Sequence, residues 1–158
     1  MKIKRLINLF IPVSVCNFNC PYCYVPQCVG RKKNLMPDFK YSPIEIRNAL
    51  SLERLGGACL FNVCGDGETL LPKEVPQIIS ELLKEGHYIE LVTNGTLTDR
   101  FKEIISFVTK EQIKHLIIKF SYHYITLKKY NMLAYKKLYF EYYLLQQYMN
   151  QVVILNTQ

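Results

Sequence analysis

Apolar and polar residues alternate along the first 124 positions in a way that predicts strands separated by helices. Short runs of branched apolar residues indicate strands, and apolar residues spaced three or four positions apart indicate helices. The predicted strands cover residues 6–15, 58–64, 88–94 and 115–121, and the predicted helices cover residues 43–55, 73–85 and 98–108. The first predicted strand is apolar almost throughout, which is typical of a strand buried on both faces. The alternating order predicts a parallel sheet with right-handed crossovers, so the predicted fold class is α/β.

Local signals support the boundaries of these helices. Ser42 and Glu45 have the spacing of a capping box, in which each side chain accepts a hydrogen bond from a backbone N–H. Thr98 is a suitable N-cap residue for the third helix. Gly56 and Gly86 follow the first two helices, where glycine readily takes the left-handed conformation that ends a helix.

The pattern changes after Asn131. Residues 131–158 contain no Gly, Pro or Asp, only three charged side chains and many aromatic residues. We therefore divide the chain into a core of residues 1–124 and an atypical tail of residues 125–158. The tail has the loose apolar spacing of one helix, and oligomerisation through it is one expectation.

Composition and charge limit the class of protein. A chain of 158 residues suits one domain, and a hydrophobic fraction of 49% with 21% charged residues is ordinary for a soluble globular protein. No apolar run reaches the ~18 residues that a membrane span needs, and no small-residue cleavage site follows the amino terminus. The net charge of +7 comes from scattered Lys and Arg residues, which do not indicate nucleic acid. We expect a cytoplasmic protein with no membrane partner.

Three cysteines carry the clearest chemical signal. Cys16, Cys20 and Cys23 have the spacing C-x3-C-x2-C in a loop after an apolar run. The six cysteines of the chain could form three disulfides in a secreted protein, but their uneven clustering favours metal or redox chemistry in a reducing compartment. Three thiolates can hold a [4Fe-4S] cluster and leave one iron free. Zinc with Cys28 as a fourth ligand is an alternative, although zinc sites more often use paired C-x2-C motifs. Core filling by small buried thiols is a third interpretation.

Each predicted strand is followed by residues that plain turn chemistry does not require. These segments are residues 15–24, which we call the cysteine loop, and Gly65-Asp66-Gly67-Glu68, Asn94-Gly95-Thr96 and Ser121-Tyr122-His123. Because ligands bind beyond the carboxyl ends of parallel strands, we predict a binding site at this edge of the sheet.

The remaining cysteines and histidines have simpler interpretations. We expect Cys59 and Cys64 to be buried strand residues. His87 and His115 precede strands at the opposite edge of the sheet, which favours structural roles. His123 lies at the predicted site, where a surface or structural role is the first interpretation.

The cysteine motif, with an aromatic residue before its last cysteine, resembles the cluster loop of radical S-adenosylmethionine (SAM) enzymes. The resemblance implies that Cys16, Cys20 and Cys23 hold a [4Fe-4S] cluster. SAM would chelate the free iron through its amino and carboxylate groups, and Tyr22 would lie beside the adenine.

Two later segments extend this resemblance over roughly residues 5–124. Gly67-Glu68 resembles the family's Gly-Gly-Glu-Pro stretch, which engages the methionine amino group, with Asp66 and Thr69 as departures from it. The sequence around Asn94 resembles the ending of the family's third strand, and Ser121 falls where the family often has a polar contact to SAM. The implied cofactor-binding residues are Tyr22, Gly67, Glu68, Asn94 and Ser121, and no catalytic residue is assigned.

The resemblance implies an enzyme that cleaves SAM reductively. An electron from the cluster would release methionine and a 5′-deoxyadenosyl radical, which would abstract hydrogen from a substrate that the sequence does not identify. An electron donor such as flavodoxin or ferredoxin would reduce the cluster.

The family's fold is a partial (β/α) barrel, and about four of its roughly six strands are recognisable here. We therefore expect a chain truncated at its carboxyl end, with the tail replacing the normal continuation as a frameshift would. An active enzyme, completed by dimerisation through the tail, is one outcome of this expectation. The alternative is a non-catalytic, truncated fragment that binds an iron-sulfur cluster or zinc.

Overall fold

One parallel sheet with helices between its strands forms the fold. The computed structural model describes residues 2–25, 34–129 and 152–156, and its strand order is β1-β2-β3-β4-β5. The strands are β1 (Leu6–Ile11), β2 (Leu60–Gly65), β3 (Tyr88–Thr93), β4 (Leu116–Tyr122) and β5 (Val152–Asn156). The helices within the described ranges are α1 (Pro43–Ala49), α2 (Leu52–Leu55), α3 (Val75–Glu85), α4 (Thr98–Phe107), α5 (Lys110–Ile113) and α6 (Tyr124–Lys129). The predicted α/β fold class and its first four strands are confirmed.

The core lies between one face of the sheet and the helices. Alternate residues of β2, β3 and β4 are fully buried against the apolar stripe of α3, as the period of two in a strand requires. The buried residues are Phe61, Val63, Ile89, Leu91 and Ile118 on the sheet, and Ile78, Ile79, Leu82 and Leu83 on α3. Each buried Leu or Ile contributes about 1.5–3 kcal/mol, so this layer fixes the strand ends that carry the site.

The other face of the sheet is more polar. Asn62 donates a hydrogen bond to Asn8 across β1 and β2 (3.0 Å), and Lys119 pairs with Glu90 across β3 and β4 (2.9 Å). Asn8 and Asn62 are direct partners in the parallel register, whereas Lys119 reaches diagonally to Glu90 from its own partner Val92.

The prediction of a first strand buried on both faces was wrong. β1 is the edge strand of the sheet, with Leu6 67% exposed and Phe10 53% exposed. An apolar run of this length does not distinguish a central strand from an edge strand, because only the neighbouring elements decide the burial. The strand also ends at Ile11, before Pro12, which has no N–H for the sheet.

Helix boundaries differ from the predictions in several places. The helix predicted over residues 73–85 begins at Val75, and the one predicted over residues 98–108 ends at Phe107. The helix predicted over residues 43–55 is divided into α1 and α2, because the Ser51 side chain accepts a hydrogen bond from the Arg54 N–H and starts a new helix. Thr98 is the first residue of α4 instead of its cap. The capping box of Ser42 and Glu45 is confirmed.

Two segments of the predicted tail are described, and they are not one helix. Residues 124–129 form α6, and residues 152–156 form β5, which pairs in parallel with β4. The prediction of a helix was therefore wrong for residues 152–156. Because of this strand, β4 has a paired strand on each side, β3 and β5. Residues 130–151, 157 and 158 lie outside the described part of the chain. Within the described part, no helix is long and apolar enough to cross a membrane.

Candidate cofactor site at the carboxyl ends of the strands

A cavity of about 220 Å³ opens at the carboxyl ends of the first four strands. The cysteine loop and the segments that follow β2, β3 and β4 form its walls, which is the convergence expected from the sequence. Most residues with predicted site roles line it: Cys16, Cys20, Cys23, Gly67, Glu68, Asn94 and Ser121. Tyr22 is not a lining residue, but its hydroxyl lies 3.1 Å from Nδ1 of His123, which lines the cavity.

Backbone hydrogen bonds attach the start of the cysteine loop to the segment that follows β2. The Gly67 N–H donates to the Val13 carbonyl (2.8 Å), and the Glu68 N–H donates to the Val15 carbonyl (3.0 Å). These bonds continue the β1–β2 pairing beyond the two strands. The backbone of residues 67 and 68 therefore fixes the position of the chain where the cysteine loop begins.

The carboxylate of Glu68 joins the ends of β2 and β3. It accepts hydrogen bonds from the Thr93 hydroxyl (2.5 Å) and from the backbone N–H groups of Asn94 (2.8 Å) and Leu70 (3.1 Å). Burial raises the pKa of this carboxyl above its usual value, while the three hydrogen bonds act in the opposite direction. The side chain is almost completely enclosed.

The side chain of Asn94 connects β3 to the cysteine loop. Its amide nitrogen donates to the Asn17 side-chain oxygen (2.8 Å), and its own oxygen accepts from the backbone N–H (3.1 Å) and the hydroxyl (2.7 Å) of Thr96. The Asn17 amide nitrogen completes the network by donating to the Thr96 hydroxyl (2.7 Å). The polar residues after β3 thus hold the cysteine loop as well as lining the cavity.

Hydrogen-bond donors face the sulfurs of Cys16 and Cys20. The Phe18 N–H donates to Cys16 Sγ (3.4 Å), and the Thr126 hydroxyl donates to Cys20 Sγ (3.4 Å). The Asn94 amide approaches Cys16 Sγ at 3.9 Å. Burial raises the pKa of the Cys16 thiol, and the Phe18 hydrogen bond acts in the opposite direction.

The three cysteine side chains of the loop are suitable ligands for an iron-sulfur cluster. Cys16, Cys20 and Cys23 are thiols that line one cavity, and hydrogen-bond donors to cysteine sulfur are a usual means of tuning such a cluster. Within the described ranges, no three His, Cys, Asp or Glu side chains lie close enough together to hold a metal ion. Cys28, the fourth ligand of the zinc alternative, lies outside those ranges.

Two residues at the site were not assigned from the sequence. His123 lines the cavity, accepts or donates a hydrogen bond with the Tyr22 hydroxyl (3.1 Å) and stacks on the Tyr22 ring. Burial lowers the pKa of His123. Thr126 belongs to α6 and reaches a cysteine 106 positions earlier. Because His123 directly follows a predicted strand, the sequence indicated that it lies at the site. No local pattern indicated this for Thr126.

His87 has a structural role, as expected. It is fully buried, with Nδ1 accepting from the Cys59 N–H (3.1 Å) and Nε2 lying 2.7 Å from the Leu50 carbonyl. Since Nδ1 accepts, Nε2 carries the proton and donates it to Leu50. Cys59 is buried as predicted, and Cys64 is half-buried.

Comparison with known proteins identifies the family. The family model of the Radical SAM superfamily matches residues 10–132, so this chain belongs to the radical SAM superfamily. The chain is also similar to the 7-carboxy-7-deazaguanine synthase of Aquifex aeolicus (strain VF5), with 32% identity over 95 residues. That alignment covers 58% of this chain and 38% of the relative, so the matched region is well under half of the relative's length.

Proposed function

We propose that this chain is a radical SAM enzyme in which Cys16, Cys20 and Cys23 hold a [4Fe-4S] cluster and SAM occupies the adjoining cavity. The observation that carries the proposal is the shared cavity, which three cysteines line together with the segments after three later strands. Family membership supports the same chemistry. When bound, the cluster supplies an electron for cleavage of SAM to methionine and a 5′-deoxyadenosyl radical that abstracts a substrate hydrogen.

The protein's part in this chemistry is to bind, orient and enclose. Gly67, Asn94 and Ser121 line the cavity that we assign to SAM, and Tyr22 supports one wall through His123. Val25 and Val92 add apolar surface, which limits the access of water to a reactive intermediate. We include Glu68 in the SAM site because its hydrogen bonds hold the loops that form it.

The proposed reaction requires an electron donor and a reducing environment. An electron donor such as flavodoxin or ferredoxin would supply the electron, and the thiol state of the described cysteines fits a cytoplasmic location. Oligomerisation through the tail stays a prediction, because most of the tail lies outside the described residues.

The relative suggests a first product to test for. Its name describes a synthase of 7-carboxy-7-deazaguanine. We therefore propose formation of that product as the first specific reaction to assay, with abstraction of a substrate hydrogen as the general reaction.

Anaerobic reconstitution with iron and sulfide tests the cofactor assignment. We expect about four irons per chain, and 5′-deoxyadenosine after addition of SAM and dithionite. Replacing any of Cys16, Cys20 and Cys23 with Ser should abolish the iron, while Cys64→Ser, a change of the same kind outside the cavity, should retain it. Bound iron without SAM cleavage would favour the non-catalytic fragment, and one zinc per chain would reject the cluster.

A further inference from the structure

The buried carboxylate of Glu68 is already engaged by the protein. An ionised carboxylate offers about four acceptor directions, and the hydrogen bonds from Thr93, Leu70 and Asn94 use three of them. Only 2% of the residue is exposed, although it lies at the cavity wall. Little of the carboxylate is therefore accessible to the amino group of a ligand.

The partners of Glu68 lie on two different loops. Leu70 belongs to the loop that Glu68 itself starts, whereas Thr93 and Asn94 belong to the end of β3, 25 and 26 positions further along the chain. A carboxylate that accepts hydrogen bonds from both loops fixes their separation. Charge-assisted bonds of this kind are stronger than neutral ones, and burial strengthens them further.

The same two loops hold the cysteine loop from both sides. The Glu68 N–H bonds to the Val15 carbonyl, and the Asn94 side chain bonds to Asn17 on the other side of Cys16. A change in the separation of the two loops would consequently move the backbone that carries Cys16.

We infer that Glu68 is a positioning residue, whose carboxylate locks the loops after β2 and β3 together and thereby sets the geometry of the cysteine loop. This inference rests on the proposed function for its effect on the cofactors. It differs from the family resemblance, which has this residue engage the methionine amino group of SAM. The two roles are separable because Thr93→Val removes a hydrogen-bond donor to the carboxylate and keeps the carboxylate itself.

Melting of the cofactor-free chain tests the interaction itself. In Glu68→Gln, the side-chain amide faces the hydrogen-bond donors of Thr93, Leu70 and Asn94 with either an NH₂ group or a weaker acceptor oxygen. Thr93→Val removes the hydroxyl with little change of shape. We expect each variant to lower Tm by roughly 3–10 °C, and the double variant to lower it by less than the sum. Thr69→Val is the matched control, since Thr69 is equally buried beside Glu68 and shows no side-chain hydrogen bond among the described contacts.

Binding of SAM to the reconstituted chain tests the positioning role. Thr93→Val leaves the carboxylate in place, so it should weaken SAM binding several-fold in parallel with Glu68→Gln, and both should change the EPR line shape of the reduced cluster. Loss of SAM affinity in Glu68→Gln alone, with unchanged Tm and unchanged Thr93→Val, would overturn the inference in favour of direct contact. A wild-type chain that holds no iron would reject the proposed function and leave the melting result as the test of the loop contact.

Discussion

The backbone of Gly67 lies directly against the carbonyl group of Val15. A Cβ at position 67 would overlap the carbonyl oxygen of Val15 and lie 2.7 Å from its carbonyl carbon and 2.9 Å from the Ser14 carbonyl carbon. All three atoms belong to the backbone, which cannot move away as a flexible side chain can. Glycine is therefore required at position 67 by the approach of the cysteine loop.

Gly67→Ala should displace the cysteine loop and reduce iron incorporation. We expect a loss of about 1–3 kcal/mol in the free energy of unfolding, measured by denaturant titration, and a several-fold loss of iron after reconstitution.

Gly56→Ala is the control. Position 56 has open space around it and a φ of +73°, so alanine costs backbone strain there, of about 1 kcal/mol. That variant should lose stability and keep its iron, and equal iron contents in both variants would contradict the account.

Thr126→Val should make the bound cluster harder to reduce. The substitution removes the hydroxyl that donates to Cys20 Sγ and keeps the shape of a side chain that is 3% exposed. A hydrogen bond to a ligand sulfur stabilises the reduced, more negative cluster, so its loss should shift the reduction potential to a more negative value. An EPR-monitored redox titration measures the shift. Thr126→Ser retains the hydroxyl and should keep the potential of the wild type, whereas equal shifts in both variants would indicate altered packing.

His87→Phe should destabilise the fold strongly. Phenylalanine leaves the Cys59 N–H and the Leu50 carbonyl without their partner in a fully buried position. Unsatisfied buried groups cost about 1–3 kcal/mol each, so we expect a loss of roughly 2–5 kcal/mol in the free energy of unfolding, measured with urea.

His115→Phe, the same substitution at the start of the next strand, should cost much less. His115 stacks on Tyr88 with ring centroids 4.2 Å apart, and its Nδ1 is buried without a partner among the described residues. Phenylalanine keeps the stacking and removes the unpaired nitrogen. We expect a change within about 1 kcal/mol, and a loss as large as that of His87→Phe would show that Nδ1 has a partner.

The capping box at the start of α1 should make a small part of the stability depend on pH. Hydrogen bonds from the backbone and side chain of Ser42 lower the pKa of Glu45 below its usual value of 4.5. A lowered pKa means that the stabilisation is fully present above the unfolded value and is lost as the pH falls through the folded value. The stability difference between the wild type and Ser42→Ala should therefore shrink at acidic pH. A difference that stays constant down to the folded pKa would rule out this origin.

Local patterns in the sequence were sufficient to predict the first four strands and to indicate where a site would form. Periods of two and about 3.6 residues, together with capping residues such as Ser42 and Gly86, are local properties, so the first four strands and the α/β class followed from them. The cysteine spacing is also local, and it indicated the cofactor loop. Because parallel strands end at the same edge, the order of the elements was sufficient to bring the cysteines, Glu68 and Asn94 together.

Contacts between residues distant in the chain became visible only in the folded structure. The exposure of β1 and the pairing of β5 depend on neighbours distant in sequence. The contact of Thr126 with Cys20 and of His123 with Tyr22 joins residues more than 100 positions apart, which no local pattern encodes. Glu68 shows the difference most clearly. Its place at the site followed from a motif, but only the folded chain surrounds its carboxylate with donors from two loops, because burial and hydrogen bonding arise from packing.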